Sequence, residues 1–444
     1  MTGRKFIITK SGWRNNRQLA YFCYSLETDE KTFELEETLE FPTPAPETIE
    51  AENLLRALHI ALSISYYKSF VPPVIQHSYN MTDVEAQFWN TVYKHGLGEF
   101  LYINSLSSSK IATFSAQSGL LSSQKSTTEW LDKASLGIGG GKDSIVAGEL
   151  LKVSNVPLCG FVLATGEILG QTQAVANAMG INLFAVKRIL DRQILEINKI
   201  EGAYNGHIPI SLIFGLVGAM IATINQGRFV IVANEASASI PQTTWEDQNI
   251  NHQWSKSIEF ERLFQDYLRA YVSKELRYFS AVRPLTSVAI AKLFSQYRQY
   301  FEIFTSDNSL FKINPEAREH PRWSTNSTKS LSSFILLAPW INDENLLKIF
   351  GQNYLYRSDL TPMLSALLGE NQQTVLDCVG TSEELKSSLA ELFAQDRFTD
   401  SALFTYTIDK KLLVGAPDIQ SYLVLQEHSI PKTIASSLLK QMEF

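Results

Sequence analysis

The densest chemistry in the sequence lies in Gly137-Ile138-Gly139-Gly140-Gly141-Lys142-Asp143-Ser144. Glycines carry no Cβ, so their backbone N–H groups can close on an anion. The helix expected to begin at Asp143 adds unpaired N–H groups and the positive end of its dipole, and Lys142 adds a full positive charge. The stretch therefore reads as a phosphate cradle. Two familiar cradles do not fit. The pattern G-x-x-x-x-G-K-[ST] would need glycine at Leu136 and a hydroxyl at Asp143. The pattern G-x-G-x-x-G starts at Gly137 and Gly139 and fails at Lys142. Asp143 suits Mg²⁺, which takes a few carboxylates together with phosphate oxygens, and the same side chain can cap the helix.

Other groups with acid–base or anion-binding capacity recur where strands end. Asn234-Glu235 and Ser237 follow the strand Phe229–Ala233; Glu235 could hold a metal or move a proton, or belong to a plain polar loop. In Asn251–Ser257, His252 is a candidate general base and Lys256 a candidate anion clamp. Thr165, Gly166 and Glu167 end another strand, where a nucleotide's ring or ribose would lie. Arg188 follows a third strand, and Asn205-Gly206-His207 precedes a long apolar helix; for Arg188 and His207 a bland surface role competes evenly. Arg283 could bind a carboxylate or serve the fold.

The elements that must position these groups alternate. Apolar strands are expected at 134–138, 158–163, 182–186 and 229–233, with helices at 143–153, 171–179 and 210–225. Unbroken apolar strands alternating with helices signal a parallel sheet covered on both faces. The fold expected is α/β, a doubly wound parallel sheet, with an N-terminal α+β region at residues 1–125, the central domain at 126–338 and a mostly helical region at 339–444. The boundary is placed in the Ser-rich stretch 105–126. Strands are expected at Lys5–Thr9 and Leu19–Ser25, a loop at Glu36–Glu50, and helices at Ala51–Tyr67, Ser257–Tyr278 and Leu285–Phe301.

Composition narrows the class. The 444 residues are 45% apolar with a net charge of −7 and no dense basic stripe, which gives no reason to expect nucleic acid. Three separated cysteines, Cys23, Cys159 and Cys378, fit a reducing compartment better than a disulfide framework. No signal peptide is evident, so a cytoplasmic location is expected. Ile208–Asn225 is free of charge, but its Pro209, Gly215 and Gly218 favour a buried helix over membrane insertion.

The loop Gly139–Ser144 resembles that of the ATP pyrophosphatase superfamily, S-G-G-x-D-S, with Gly139 in place of the first serine. The resemblance implies an adenine nucleotide alpha hydrolase-like domain that cleaves ATP between its α- and β-phosphates and adenylates a substrate. Gly139, Gly140, Gly141, Lys142, Asp143, Ser144 and Thr165 would then bind ATP, and Asp143 Mg²⁺. Gly137–Ser144, Gly206–Ile210, Asn234–Ser239, Asn251–Phe260, Phe279–Leu285 and Cys378–Glu384, in this order, are together similar to the bacterial UDP-N-acetylmuramoyl-L-alanyl-L-glutamate epimerases, over about residues 1 to 440. That implies an isomerase acting on a UDP-muramoyl dipeptide, in which ATP becomes AMP and diphosphate while terminal L-Glu becomes D-Glu. His252 and Glu235 are then the expected acid–base groups and Lys256 an oxyanion or phosphate partner. One departure stands out. The family's Trp-Cys-x-x-Cys-x-x-Cys segment reads here Trp323-Ser324-Thr325-Asn326-Ser327-Thr328-Lys329-Ser330, and Asp307 takes the place of an upstream cysteine. No thiolate zinc site can form there. A tRNA-modifying or amide-forming ATP pyrophosphatase and a non-catalytic nucleotide-binding protein are the alternatives.

Overall fold

The computed structural model describes residues 1–117, 128–166, 170–307, 322–370 and 375–444. The expected boundary at 125/126 and Glu167 lie outside these residues. Eleven strands are seen among them: β1 Gly3–Arg14, β2 Leu19–Thr28, β3 Thr32–Glu40, β4 Ile75–His77, β5 Leu131–Gly137, β6 Leu158–Ala164, β7 Leu183–Ile189, β8 Gly227–Val232, β9 Thr243–Trp245, β10 Gln248–Ile250 and β11 Arg277–Ser280. The helices are α1 Ile49–Tyr67, α2 Asp83–Gly96, α3 Gly98–Ile103, α4 Lys142–Lys152, α5 Gly170–Met179, α6 Gln193–Ile197, α7 Ile210–Ile224, α8 Ile258–Tyr271, α9 Ser287–Phe294, α10 Thr328–Leu337, α11 Asp343–Phe350, α12 Thr361–Leu367, α13 Ser382–Ala394, α14 Ala402–Asp409 and α15 Lys432–Lys440.

Nine strands form one sheet in the order β11-β8-β5-β6-β7-β3-β2-β1-β4. The run β11-β8-β5-β6-β7 is parallel throughout. From β5 the chain winds through β6 to β7, then returns to place β8 and β11 on the other side of β5. The order therefore reverses between β5 and β8. The crevice beyond the carboxyl ends of strands at such a reversal is where open α/β sheets bind ligands.

Side-chain alternation explains the layers. Along β8, Phe229 and Ile231 enter one core with α4, α5 and α9, while Val230 and Val232 enter the other with α1, α7 and α8. Helix α7 is buried almost all round, as its unbroken apolar sequence requires. No helix among the described residues is long and apolar enough to cross a membrane. The C-terminal helices α10 to α15 continue the core that holds α4 and α9.

The structure departs from the expected purely parallel sheet on its N-terminal side. Strand β3 pairs antiparallel with β7, so the N-terminal strands extend the same sheet. Glu36–Glu40, expected in a loop, lies in β3. Its acids mask a two-residue alternation in which Phe33, Leu35 and Leu39 face inward. Glu37 also points inward, where buried Arg188 of β7 pairs with it and donates to Ser65 Oγ at 2.8 Å. Arg188 thus serves the sheet junction. The helix expected to run to Tyr278 stops at Tyr271, and Arg277–Ser280 forms the edge strand against β8. The helix expected at 285–301 ends at Phe294.

A Cβ on Gly218 of α7 would lie 2.5 Å from Phe161 of β6 and 3.0 Å from Val230 of β8. Gly218→Ala gains about 1 kcal/mol of helix propensity, yet the overpacking costs about 1–3 kcal/mol. Urea unfolding should show net destabilisation; a more stable variant would contradict this packing.

Candidate active site at the sheet switch point

The glycine loop leaves β5 beside the reversal. Gly140 holds a left-handed φ of +86°, which a side chain resists. A Cβ on Gly141 would meet Ser306 Oγ at 2.9 Å, whereas one on Gly139 would meet nothing within 4 Å. The loop is thus closed on one side and open at Gly139. The closed side is braced by the segment 304–307: Thr305 N–H donates to Gly140 O at 3.1 Å, and Lys142 N–H to Ser306 Oγ at 3.4 Å. Behind it, Asp307 Oδ2 accepts from Ser324 N–H at 2.7 Å, Ser327 Oγ at 3.1 Å and Ser330 Oγ at 2.9 Å. Asp307 and the serines of the Trp323–Ser330 stretch therefore make a hydrogen-bonded cluster.

Helix α4 begins at Lys142, and no side chain caps its N-cap Gly141. Lys142 Nζ donates to Asp143 Oδ1 at 2.6 Å. Burial opposes ionisation of Asp143, but the ammonium groups of Lys142, Lys329 and Lys256 outweigh it and hold the carboxyl below its ordinary value. Three lysines from α4, α10 and the approach to α8 thus converge on one carboxylate. Ser144 Oγ donates back to Gly141 O at 2.9 Å, closing the first turn.

At the end of β8, Glu235 Oε2 accepts from Ser287 Oγ at 2.6 Å. Glu384, second in a capping box at the start of α13, accepts from Ser237 Oγ at 2.9 Å and Ser287 N–H at 2.7 Å. Burial, with Glu235 nearby, raises the Glu384 carboxyl. Arg283 is fully buried. It donates to Glu235 O at 2.6 Å, Lys256 O at 2.5 Å and Glu261 Oε2 at 3.0 Å. It is a structural cation, and the carboxylate it binds is the protein's own.

The tight hairpin β9–β10, with Glu246 and Asp247 at positive φ, delivers the loop that carries His252. His252 N–H donates to Gln242 Oε1 at 2.8 Å, and Asn251 Nδ2 to Ala238 O at 2.9 Å. His252 Nδ1 is hydrogen-bonded to Glu99 Oε2, and a ring nitrogen of His252 lies within 4.8 Å of the sulfur of Cys378. Lys256 Nζ lies 3.1 Å from the same sulfur. Burial works against the charge on His252, but Cys378 and Glu99 prevail and push it up to about 9. His207, whose ring centroid lies 4.5 Å from that of His252, is pushed down to about 3 by burial and then by His252, Lys256 and Lys68. Burial alone would raise the Cys378 thiol; Lys256, His252 and Lys329 instead bring it down to about 7.

The structure thus brings Asp143 of the glycine loop, Glu235 and Cys378 within electrostatic reach of Lys256, with His252 and His207 beside them. Thr165 is exposed at the end of β6. Glu99, Cys378, Lys329 and Glu384 are site residues that sequence reasoning did not single out. For Cys378 a signal existed: Thr381-Ser382-Glu383-Glu384 is a capping box, and a cysteine just before a helix start is a place where a thiol pKa falls. Donor atoms of Glu99, His207 and His252 lie within 4.8 Å of one another, as do those of His252, Asp377 and Cys378. Glu99 already holds a charged imidazole and Cys378 an ammonium, so neither triad is assigned to a metal.

Fold and site together define an α/β protein with a glycine loop and a cluster of titratable side chains at one sheet switch point. The family model described as MurL N-terminal domain matches residues 1–281, and that described as MurL C-terminal domain matches residues 303–416. The chain belongs to the MurL family. It is 31% identical over 388 residues, 86% of this chain and 85% of the relative, to a protein of Xanthomonas oryzae pv. oryzae (strain MAFF 311018) named UDP-N-acetyl-alpha-D-muramoyl-L-alanyl-L-glutamate epimerase. Proteins of the same name from Micromonospora sp. (strain ATCC 39149 / NRRL 15099 / SCC 1413) and Salinispora tropica (strain ATCC BAA-916 / DSM 44818 / JCM 13857 / NBRC 105044 / CNB-440) are 31% and 29% identical over 395 residues. Each alignment covers 88% of this chain, and 87% and 85% of the relatives. No solved structure matches the chain.

The two histidines should titrate far apart. In NMR, the His252 ring signal should move with a midpoint of about 9, while that of His207 stays neutral well below pH 6. Because His207 is depressed, the unfolded chain takes up its proton first; stability is therefore lost as pH falls from 6.5 towards 3. His207→Gln should flatten that acid limb. An unchanged limb, or coincident midpoints near 6.5, would contradict the site's electrostatics.

Proposed function

We infer that the protein epimerises the terminal L-Glu of UDP-N-acetylmuramoyl-L-alanyl-L-glutamate to D-Glu in peptidoglycan precursor synthesis, through an acyl adenylate made from ATP. The observation that carries this reading is the meeting of the glycine loop with Glu235, Lys256 and His252 at one switch point, in a chain whose relatives bear the epimerase name along most of their length.

The chemistry requires activation. An α-proton beside a carboxylate resists removal because the product carries two negative charges on one small group. In the proposed sequence a carboxylate oxygen of the glutamyl substrate attacks the α-phosphorus of ATP, and diphosphate leaves. The acyl adenylate has no carboxylate charge, so its α-proton can be taken and the resulting enolate stabilised by fixed donors. Protonation from the other face inverts the centre, and water releases AMP.

The residues fit an ATP phosphate chain. The loop is open at Gly139, the N-cap residue of α4 is the glycine Gly141, and Lys142, Lys256 and Lys329 surround Asp143. Mg²⁺ would be held by Asp143 and would neutralise phosphate charge. The backbone of Gly139–Gly141 with Lys142 holds the diphosphate portion, Ser144 secures the first turn, and Thr165 lies where the nucleoside end would reach. Lys256, kept charged by Cys378, Asp143 and Glu235, faces the developing enolate oxygen. Glu235 and the cluster around His252 supply the acid–base groups.

In D₂O with ATP and Mg²⁺, the α-position of UDP-N-acetylmuramoyl-L-alanyl-L-glutamate should take up deuterium. Without ATP, or with Asp143→Ala, uptake should fall by at least about a hundredfold. Folded protein that binds ATP yet shows no uptake would sink the epimerase reading.

A further inference from the structure

We propose that Cys378 is the catalytic base, its sulfur removing the glutamyl α-proton as a thiolate held between the Lys256 ammonium and the His252 ring. The proposal rests on the epimerase reading and names the group that does its central step. Of the three groups that meet at the sulfur, Lys256, His252 and Cys378, the sulfur is the one that can accept a proton. Lys256 donates to the sulfur at 3.1 Å. His252 is bonded to Glu99 at Nδ1 and has a ring nitrogen within 4.8 Å of the sulfur, and these two neighbours keep the ring charged. Neither cation can take a further proton, so His252 acts as a positioning residue, leaving the sulfur to serve as base. The other charges that face Cys378 are Lys329 at the start of α10 and the neighbouring Asp377, whose Oδ1 accepts from Cys378 N–H at 2.7 Å and whose Oδ2 accepts from Thr328 Oγ1 at 2.7 Å. This frame fixes the backbone beneath the sulfur, and Cys378 keeps partial exposure. A thiol brought to about 7 matches the pKa that proton transfer near neutral pH favours. The other two cysteines differ: burial pushes Cys23 up to about 11, and Cys159 is raised within β6.

The step balances as follows. The Cα–H bond breaks, its electron pair enters the enolate of the acyl adenylate, and the proton forms an S–H bond. A water molecule held at Glu235 gives a proton to the opposite face as the enolate pair forms the new Cα–H bond. The hydroxide left behind takes the thiol proton, which restores water and the thiolate.

Cys378→Ala and Cys378→Ser test this, with thermal unfolding to verify the fold. Three readouts are needed: α-deuterium uptake, substrate-dependent exchange of labelled diphosphate into ATP, which reports adenylation alone, and iodoacetamide alkylation against pH. Uptake should fall by about a hundredfold or more while diphosphate exchange persists. In the native chain Cys378 should be alkylated before Cys23 and Cys159, with a midpoint of about 7 that rises in His252→Gln. Native uptake in Cys378→Ala, equal loss of both reactions, or an alkylation midpoint unmoved by His252→Gln would overturn the assignment. Absence of uptake in the native chain with ATP would instead overturn the epimerase reading itself.

Discussion

A single buried guanidinium fixes the acid–base side of the crevice. Arg283 sits between β11 and α9 with almost no exposure, and its donors are divided among the backbone oxygens of Glu235 and Lys256 and the carboxylate of Glu261. The exit of β8, the approach to α8 and the first turn of α8 are thereby tied to one point. Burying such a charge is costly, and it persists only where hydrogen bonds and a counter-charge offset the lost water. Here the partners are two backbone carbonyls and one carboxylate, so movement of either loop would strand a buried cation. The spacing between Glu235 and Lys256 inherits that rigidity.

The glycine-loop side is held differently. Its cradle is backbone, closed by Thr305 and Ser306 and opened at Gly139. The Asp307 cluster of serine hydroxyls stands behind this brace and leads directly into α10, which carries Lys329 toward Asp143 and Cys378. The stretch where the resemblance implies thiolates thus keeps an architectural task by hydrogen bonding. Both halves meet through Lys256, which senses Asp143, Glu235 and Cys378 together.

What the sequence made legible was local or periodic. The glycine loop could be read because its chemistry lies in consecutive residues. Glu235 could be placed beside it because unbroken apolar strands are parallel, and parallel strands end at one edge. Strand β3 was hidden because acids occupy its outward positions, and β11 because four residues give too short a pattern to break a neighbouring helix. For Arg188 and Arg283 the sequence leaves a ligand role and a bland role both open, because their partners, Glu37 and Glu261, lie in other elements. Glu99 has no local signature at all; it meets His252 across 153 residues of chain. Cys378 enters the sequence reading as one of three cysteines and as the start of the segment Cys378–Glu384, neither of which shows the charges that surround its sulfur.

The central claim is that a substrate carboxylate is adenylated so that its α-proton can be removed. The most direct test uses UDP-N-acetylmuramoyl-L-alanyl-glutamate labelled with ¹⁸O in its glutamyl carboxylates, incubated with ATP and Mg²⁺. If a carboxylate oxygen attacks the α-phosphorus and water later attacks the acyl carbon, the bridging oxygen leaves with the nucleotide. The account predicts AMP carrying one ¹⁸O atom in its phosphate, formed in step with D-Glu product. AMP without label, or epimerisation with no AMP formed, would contradict it.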